Sequence, residues 1–497
     1  MVYDCLVIGA GIGGLAAALK LSAEGKRVLL LERQPVPGGL ATSFMRKGFT
    51  FESSLHCADG LEPGGAVREF LDDCGITKGL ELITLDNFMR LIYPQHELVV
   101  DFNRQHFIDY LKINFAQDVK KIDRLFAYCD KFYCQFERFA NSGLPEGLVL
   151  LLTPFLYPSM VRVSGMTTEE LLGRYIHDAK LKGMIADIWK FIGLPPKRLS
   201  ALYFLIVFRG YYLQHTCFVK GGFAKLFQAI VEKIKENGSE VKFNTTVRKI
   251  SAAGLSVITD KDELFQAKAI ISNANPIDTL TKLIDSPDIN EEYLAKLSGM
   301  EKSLSCVQVY LGLSIPAKSL GMQQFMSSIS NTYDQEENFS YFMRGDYENC
   351  SLNLVDHAQI DPGLVPPGKG SLLIMCGDNY AHWANLNAED YARKKKETAD
   401  ILIRRAENYL PGLSGHIEVM EVGTPRTVER FGSVPEGAIY GFAQSVKQSG
   451  INRLGVKSRV NGLFLAGAWV FPGAGLHACF VSGQEAADAV LKFLRRR

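Results

Sequence analysis

Between residues 3 and 39 the chain passes from the apolar run Cys5-Leu6-Val7-Ile8 through Gly9-Ala10-Gly11-Ile12-Gly13-Gly14 into a helical stretch, then into a second apolar run over 27–31 that ends at Glu32. No other stretch limits the fold so tightly, because each glycine answers a steric need. Gly9 allows a tight turn, Gly11 lets the backbone approach a pyrophosphate, and Gly14 lets the helix lie close to the strand. Ala10 and Gly13 complete the turn, and the negative pyrophosphate then meets a helix N-terminus. Glu32, about 20 residues past the glycines, stands where an acidic side chain accepts hydrogen bonds from an adenosine ribose. Leu15, Ala18 and Leu19 follow with helical spacing. The segment predicts an α/β fold with a Rossmann-like dinucleotide-binding domain.

The next residues separate flavin from nicotinamide. Glu32-Arg33-Gln34-Pro35-Val36-Pro37-Gly38-Gly39-Leu40, followed by Thr42, resembles the extended N-terminal signature of FAD enzymes. That resemblance implies that Gly38-Gly39 doubles the chain back along the pyrophosphate, a path suited to glycine, with Arg33, Leu40 and Thr42 beside the cofactor. Many relatives carry Arg or Lys where this chain has Leu40, so pyrophosphate binding falls to backbone amides.

With 55 basic and 54 acidic side chains in 497 residues, the chain lacks the basic bias that nucleic-acid binding needs. Its length corresponds to about two to three domains. Ten cysteines are scattered with no Cys-x-x-Cys pair and no zinc-spaced Cys/His cluster, which predicts reduced thiols, no metal and a cytoplasmic setting. The first residues already belong to a strand, leaving no room for an export leader. Two apolar runs imitate membrane spans. The run 147–161 falls short of the roughly 20 residues a span needs and is broken by Pro154 and Pro158. The run 461–484 holds Pro472 and glycines that serve the nucleotide site. Neither is expected to span. The first leaves two readings open: a surface that dips into a bilayer or lines a greasy tunnel, giving peripheral membrane association, or ordinary core.

Pattern divides the chain further. Residues 1–100, 206–290 and 421–497 read as one discontinuous cofactor-binding domain, with returning strands such as Glu97–Val100 in its first part. Residues 101–205 read as a helical insert, with Phe107, Tyr110, Leu111 and Phe115 on one face and Leu125, Tyr128, Phe132 and Phe136 at helical intervals. Residues 291–420 read as a mixed insert of strands and a helix over 388–409, and the two inserts together form a substrate domain. Within the middle part, Lys220-Gly221-Gly222-Phe223 opens an amphipathic helix ended by Asn237-Gly238, and strands follow over 241–247, 256–259 and 269–272.

The C-terminal segment carries the second half of the motif. Asn461-Gly462-Leu463-Phe464-Leu465-Ala466-Gly467-Ala468 is a strand delivering a glycine, and Phe471-Pro472-Gly473-Ala474-Gly475-Leu476-His477 leads into the terminal helix. Such a loop sets backbone amides and a helix N-terminus against the electron-rich edge of a flavin, a field that favours its reduced anionic form. Together with Lys47-Gly48-Phe49-Thr50-Phe51, Gly193-Leu194-Pro195-Pro196 and Thr424-Pro425-Arg426-Thr427, these motifs resemble the FAD-dependent carotenoid desaturase, carotenoid isomerase and retinol saturase group of the flavin amine oxidase superfamily. The Pro-Gly-Ala-Gly loop is most similar to bacterial phytoene desaturases, and 424–441 to the isomerase and saturase branch. One departure is Glu52-Ser53-Ser54-Leu55-His56, where many members carry Asp-x-Gly.

The resemblance implies an amine-oxidase-type FAD domain with an interleaved α+β substrate domain. In it Val247 packs near the adenine, and Gly467, Ala468, Gly475 and Leu476 lie at the flavin. It also implies desaturation or saturation of a long apolar polyene or isoprenoid by hydride transfer with flavin N5. Candidates for the one proton left to manage are His56, Tyr211, Tyr212, His215, Arg430 and His477, with His56 and His477 foremost because both fall in cofactor-adjacent segments. No second nucleotide fold is apparent, so electrons pass to or from quinone, dioxygen or NAD(P)H directly. Three alternatives stay open: a redox-neutral cis–trans isomerase, a flavin amine oxidase, and a non-catalytic prenyl-lipid carrier like the Rab GDP-dissociation inhibitors.

Overall fold

The computed structural model describes residues 2–140, 142 and 152–496. Two sheets organise it. In the first, Val2–Ile8 lies between Val28–Leu31 and Leu264–Ser272, parallel to both. Glu240–Lys242 extends it on one side, while Ser256–Thr259, Val247–Ser251 and Ile284–Asp285 extend it on the other, and Leu463–Leu465 pairs with Leu264–Ser272. Parallel strands covered on both faces read as unbroken apolar runs. Here Cys5, Val7, Val28 and Leu30 join the core cluster that also contains Leu15, Leu19 and Phe227, while Leu6, Ile8, Leu29 and Leu31 meet Val257, Ile270 and Leu463.

Helices Ile12–Ala23 and Leu476–Leu494 close this layer against each other. A Cβ at Gly483 would stand 2.2 Å from the Gly13 carbonyl oxygen and 2.8 Å from Ala16 Cβ, so only glycine permits the approach. The two ends of the described chain thus meet.

The second sheet has the order Ile417–Gly423, Ser305–Leu313, Gly370–Asp378, Leu352–Val355, Met326–Ile329, Met89–Ile92, Glu97–Val100. Here the sequence reading is corrected, because Glu97–Val100 belongs to this sheet and not to the cofactor-binding one. Met89–Ile92 pairs in parallel with Met326–Ile329 and antiparallel with Glu97–Val100. The alternation that buries Met89, Leu91, Leu98 and Val100 identifies a half-buried hairpin, but alternation does not say which sheet receives it. The expected strand over 241–247 is two strands, broken where Asn244 takes a left-handed φ of 51°. The expected helix over 388–409 is Ala388–Glu407, stopped ahead of Pro411-Gly412.

A helical region includes Arg104–Asn114, Val119–Ala140 and Ala201–Phe208. Val119–Ala140 buries Ile122, Leu125, Phe126, Cys129, Phe132 and Tyr133 along one stripe. Of the apolar run 147–161, residues 147–151 lie outside the described part. In the remainder Phe155 is 81% and Leu156 50% exposed, so these two side chains are not core. No helix among the described residues is long and apolar enough to cross a membrane.

Candidate functional site

The Gly9–Gly14 turn and the Gly467 loop form one cradle. Gly9 adopts a φ of 93°, and a Cβ at Gly14 would lie 2.0 Å from the Gly9 carbonyl oxygen. A Cβ at Gly13 would lie 2.6 Å from the Gly467 nitrogen, which brings the first and last glycine loops into contact. Asn273 wedges between them. Its amide lies 2.7 Å from a Cβ built at Gly11 and 2.4 Å from one built at Gly467. Gly38, at φ 110°, donates its N–H to the Ala10 carbonyl at 2.8 Å. Gly39 follows over Gly11, at 3.3 Å from a built Cβ to Gly11 Cα. Glu32 is buried, and its carboxylate accepts from the amides of Ala10 at 2.6 Å and Gln34 at 2.7 Å, which fixes it at the mouth of the cradle.

On the C-terminal side the loop presents amides without protein acceptors. The Gly467 N–H is held by Ser482 Oγ at 2.9 Å. Among the described residues those of Ala468, Trp469 and 475–478 donate to nothing. The last four head the helix Leu476–Leu494, where orphan donors and the helix dipole favour negative charge. Glycines that no other residue can replace, an acid at the end of the second strand and free amides from both ends fit an adenine dinucleotide whose far ring lies against the C-terminal loop. That loop is tied from behind by Arg453, a buried residue in an irregular segment without periodicity or motif. Its guanidinium donates to the carbonyls of Ala468 at 2.7 Å, Val470 at 3.0 Å and Phe442 at 3.1 Å. Gln444 Nε2 adds a bond to the Pro472 carbonyl at 3.1 Å, and Tyr203 donates to the Ala474 carbonyl at 3.1 Å.

The remaining expected cofactor neighbours have the following protein partners. Arg33 is turned onto the C-terminal end of helix Pro425–Gly432, donating to the carbonyls of Arg430 at 2.8 Å and Phe431 at 2.9 Å, where a cation satisfies the last carbonyls. The Leu40 side chain packs on Gly432, while its carbonyl accepts from Ser53 Oγ at 2.6 Å and Ser54 Oγ at 2.8 Å. Val247 is a buried core residue at the start of its strand. Thr42 sits beside Ser53, whose amide donates to the Thr42 carbonyl at 3.1 Å.

The candidate proton carriers separate into distinct surroundings. His477 Nδ1 lies 3.3 Å from Asp59 Oδ2, and the ring packs on Gly60. Burial alone lowers its pKa, but the hydrogen bond and charge of Asp59, with Glu62 beyond, outweigh this and leave it raised. His56 Nδ1 lies 3.3 Å from His357 Nε2, with both rings buried and His357 stacked on Phe218. Burial pushes His56 down to about 4 and His357 well below its ordinary value. Neither Asp59 nor His357 carried a sequence signal, since each gains meaning only from its partner. Ala58 pairs with Cys217, so one short segment holds His56 toward the second sheet and Asp59 toward the C-terminal helix.

Tyr211 stacks near Phe88 and Phe191. Tyr203, Tyr211 and Tyr440 keep accessible area, yet burial raises each hydroxyl, that of Tyr203 up to about 12. Tyr203 lies next to Gly473 and Ala474. Tyr212 is different: fully buried among Phe88, Phe107 and Phe208, with a hydroxyl that has no partner among the described residues. His215 is exposed, with Nδ1 3.2 Å from the Leu85 carbonyl. Arg430 is exposed at the end of its helix, over Phe431. Neither joins the histidine pairs. Glu52, standing for the expected Asp, accepts from Ser43 Oγ at 2.8 Å and the Phe223 amide at 3.2 Å, and burial pushes it up to about 7.

Residues 12–491 match the family described as flavin containing amine oxidoreductase. The chain is similar to prolycopene isomerase 1, chloroplastic, of an Oncidium hybrid cultivar, at 27% identity over 98% of this chain and 84% of that protein. It is similar to all-trans-retinol 13,14-reductase of Danio rerio, at 24% identity over 88% of this chain and 77% of that protein. The crystal structure of an oxidoreductase from Methanosarcina mazei has the same fold, with a TM-score of 0.65 at 17% identity over 97% of this chain and 99% of that one.

Proposed function

The chain belongs to the flavin containing amine oxidoreductase family, and from that premise we propose that this FAD-dependent oxidoreductase acts on C–C or C=C bonds of a long apolar polyene or isoprenoid, by desaturation or saturation. FAD supplies the two-electron carrier for that chemistry. The observation that carries the reading is the contact of the Gly13 and Gly467 loops, with the amides of Ala468, Trp469 and 475–478 left without acceptors among the described residues. Relatives named for carotenoid and retinoid substrates supply the polyene.

In this reading Gly9, Ala10, Gly11, Gly13 and Gly14 bind the pyrophosphate, Glu32 orients the ribose, and Gly38, Gly39 and Thr42 close over it. The amides of Ala468, Trp469, Gly475 and Leu476 orient the ring. Aromatic side chains exclude water from an apolar substrate that offers no charge to bind. His477 holds the proton: Asp59 fixes Nδ1, leaving Nε2 as the atom that gives or takes it. His56, held neutral by burial, serves as a neutral hydrogen-bonding group. The protein is cytoplasmic and touches a membrane at the face bearing Phe155 and Leu156 to collect its substrate. Quinone, dioxygen or NAD(P)H exchanges electrons with the bound cofactor.

The test is to purify the yellow protein and add polyenes without air, to the oxidised form in one arm and to the reduced form in the other. A product that gains or loses two hydrogens supports the proposal. A product of unchanged mass and altered geometry favours the second reading, a redox-neutral isomerase, which the isomerase relative covering 98% of this chain supports. Oxidation of amines instead identifies an amine oxidase, and a protein that binds no FAD identifies a prenyl-lipid carrier.

A further inference from the structure

The guanidinium of Arg453 has four carbonyl partners: Ala468, Val470 and Phe442, with Gln448 at 3.4 Å. It is only 5% exposed, and no carboxylate pairs with it among the described residues. A buried cation is ordinarily paired with an anion, because leaving it alone costs several kcal/mol. The neighbours that act on it electrostatically are Tyr203 and Cys479. Burial pushes both of these up to about 12, so they are neutral and supply no counter-charge. Burial lowers Arg453 itself to about 10, which leaves it charged at neutral pH.

The placement matters as much as the charge. Two of the four carbonyls, Ala468 and Val470, belong to the C-terminal loop, and the amides of Ala468 and Trp469 donate to no group among the described residues. Drawing the carbonyls back onto the guanidinium leaves the amides for the opposite side, and a net positive charge lies behind them. Such a charge, fixed in advance in a low-dielectric setting, acts on whatever negative charge develops in front of it.

We infer that Arg453 is a positioning residue for the bound cofactor, whose uncompensated charge stands in for a counter-ion to the negative charge that reduction places on the ring. This rests on the FAD reading above. It gives the missing carboxylate a reason: an anion paired with Arg453 would cancel the field.

The test is a redox titration of wild-type, Arg453→Gln and Arg453→Lys proteins carrying FAD. The glutamine keeps a donor for the loop carbonyls and removes the charge, so its reduction equilibrium is expected to shift at least tenfold toward the oxidised form, ~30 mV lower for a two-electron couple. The lysine variant is expected to shift less. A glutamine variant that holds FAD at the wild-type potential would overturn the inference and leave the FAD reading standing. Should the glutamine variant fail to fold, the wild-type protein still decides through the pH dependence of its potential. One proton taken up per two electrons, about 30 mV per pH unit, is expected where the reduced ring keeps its charge. A slope twice as steep near neutrality overturns the inference. Wild-type protein that binds no FAD overturns both readings together.

Discussion

His56 and His477 are bonded through the same ring nitrogen, at the same 3.3 Å, and His56 shares one short stretch of chain with Asp59, the partner of His477, yet their titrations move in opposite directions. The difference lies in what each ring meets. His357 is neutral, so the His56 pair has nothing to offset the loss of water, and both rings stay uncharged. Asp59 is an anion, and it reverses the same loss for His477. Withdrawal from solvent therefore does not by itself mark a proton carrier. The charge of the partner decides, and it favours His477 over His56 for a group that must take up and release a proton at neutral pH.

The largest expected effect follows from that ranking. His477→Ala is expected to slow turnover by about 100-fold or more while FAD stays bound. Asp59→Asn is expected to lower the pKa of His477 and move the corresponding limb of the kcat profile to lower pH. Equal losses for His477→Ala and His56→Ala in stopped-flow measurements would break the comparison.

The next effect is on stability. His56 is depressed to about 4 in the folded protein against an ordinary value of 6.5, so the unfolded chain binds the extra proton first. Its contribution is fully present above pH 6.5 and is lost as pH falls toward 4. His56→Ala is expected to cost about 1–3 kcal/mol near neutrality by leaving His357 unpartnered, and to flatten the acid limb in chemical denaturation. An unchanged acid limb would assign that limb to other groups.

Glu52 works in the reverse sense. Raised to about 7 in the folded state against 4.5 unfolded, it binds its proton more tightly when folded, so stability declines as pH rises between those values. Glu52→Gln is expected to raise the melting temperature at pH 8 and leave it unchanged at pH 4. The smallest effect is that of Arg33→Ala, about 0.5–1 kcal/mol from the uncapped end of helix Pro425–Gly432, with FAD affinity unchanged in equilibrium titration. A large loss of FAD affinity would return Arg33 to the cofactor.

How much of this was legible depended on whether a residue's reason was local. The glycines of the cradle were readable because a turn and a close helix approach exclude every other side chain there. Asn273 was not, because its place between Gly11 and Gly467 exists only once the two ends meet. For Arg33 the sequence offered only adjacency to the motif, whereas the bonds that hold its side chain come from the end of a helix far along the chain. Glu97–Val100 had a clear period and no address, and the edge of the second sheet supplied one. His357 opens one single-turn 3-10 helix and Arg453 follows another, segments too short for period or spacing to distinguish a functional group from a solvated one.

The contact of Gly13 with Gly467, and of Gly483 with the Gly13 carbonyl, also sets an order of events during biosynthesis. The strand and turn around Gly9 are made well before the matching loop and the helix Leu476–Leu494, which lie far along the chain. Cofactor loading must wait for translation to pass the later loop, so a growing chain holds an open half-site until that loop arrives.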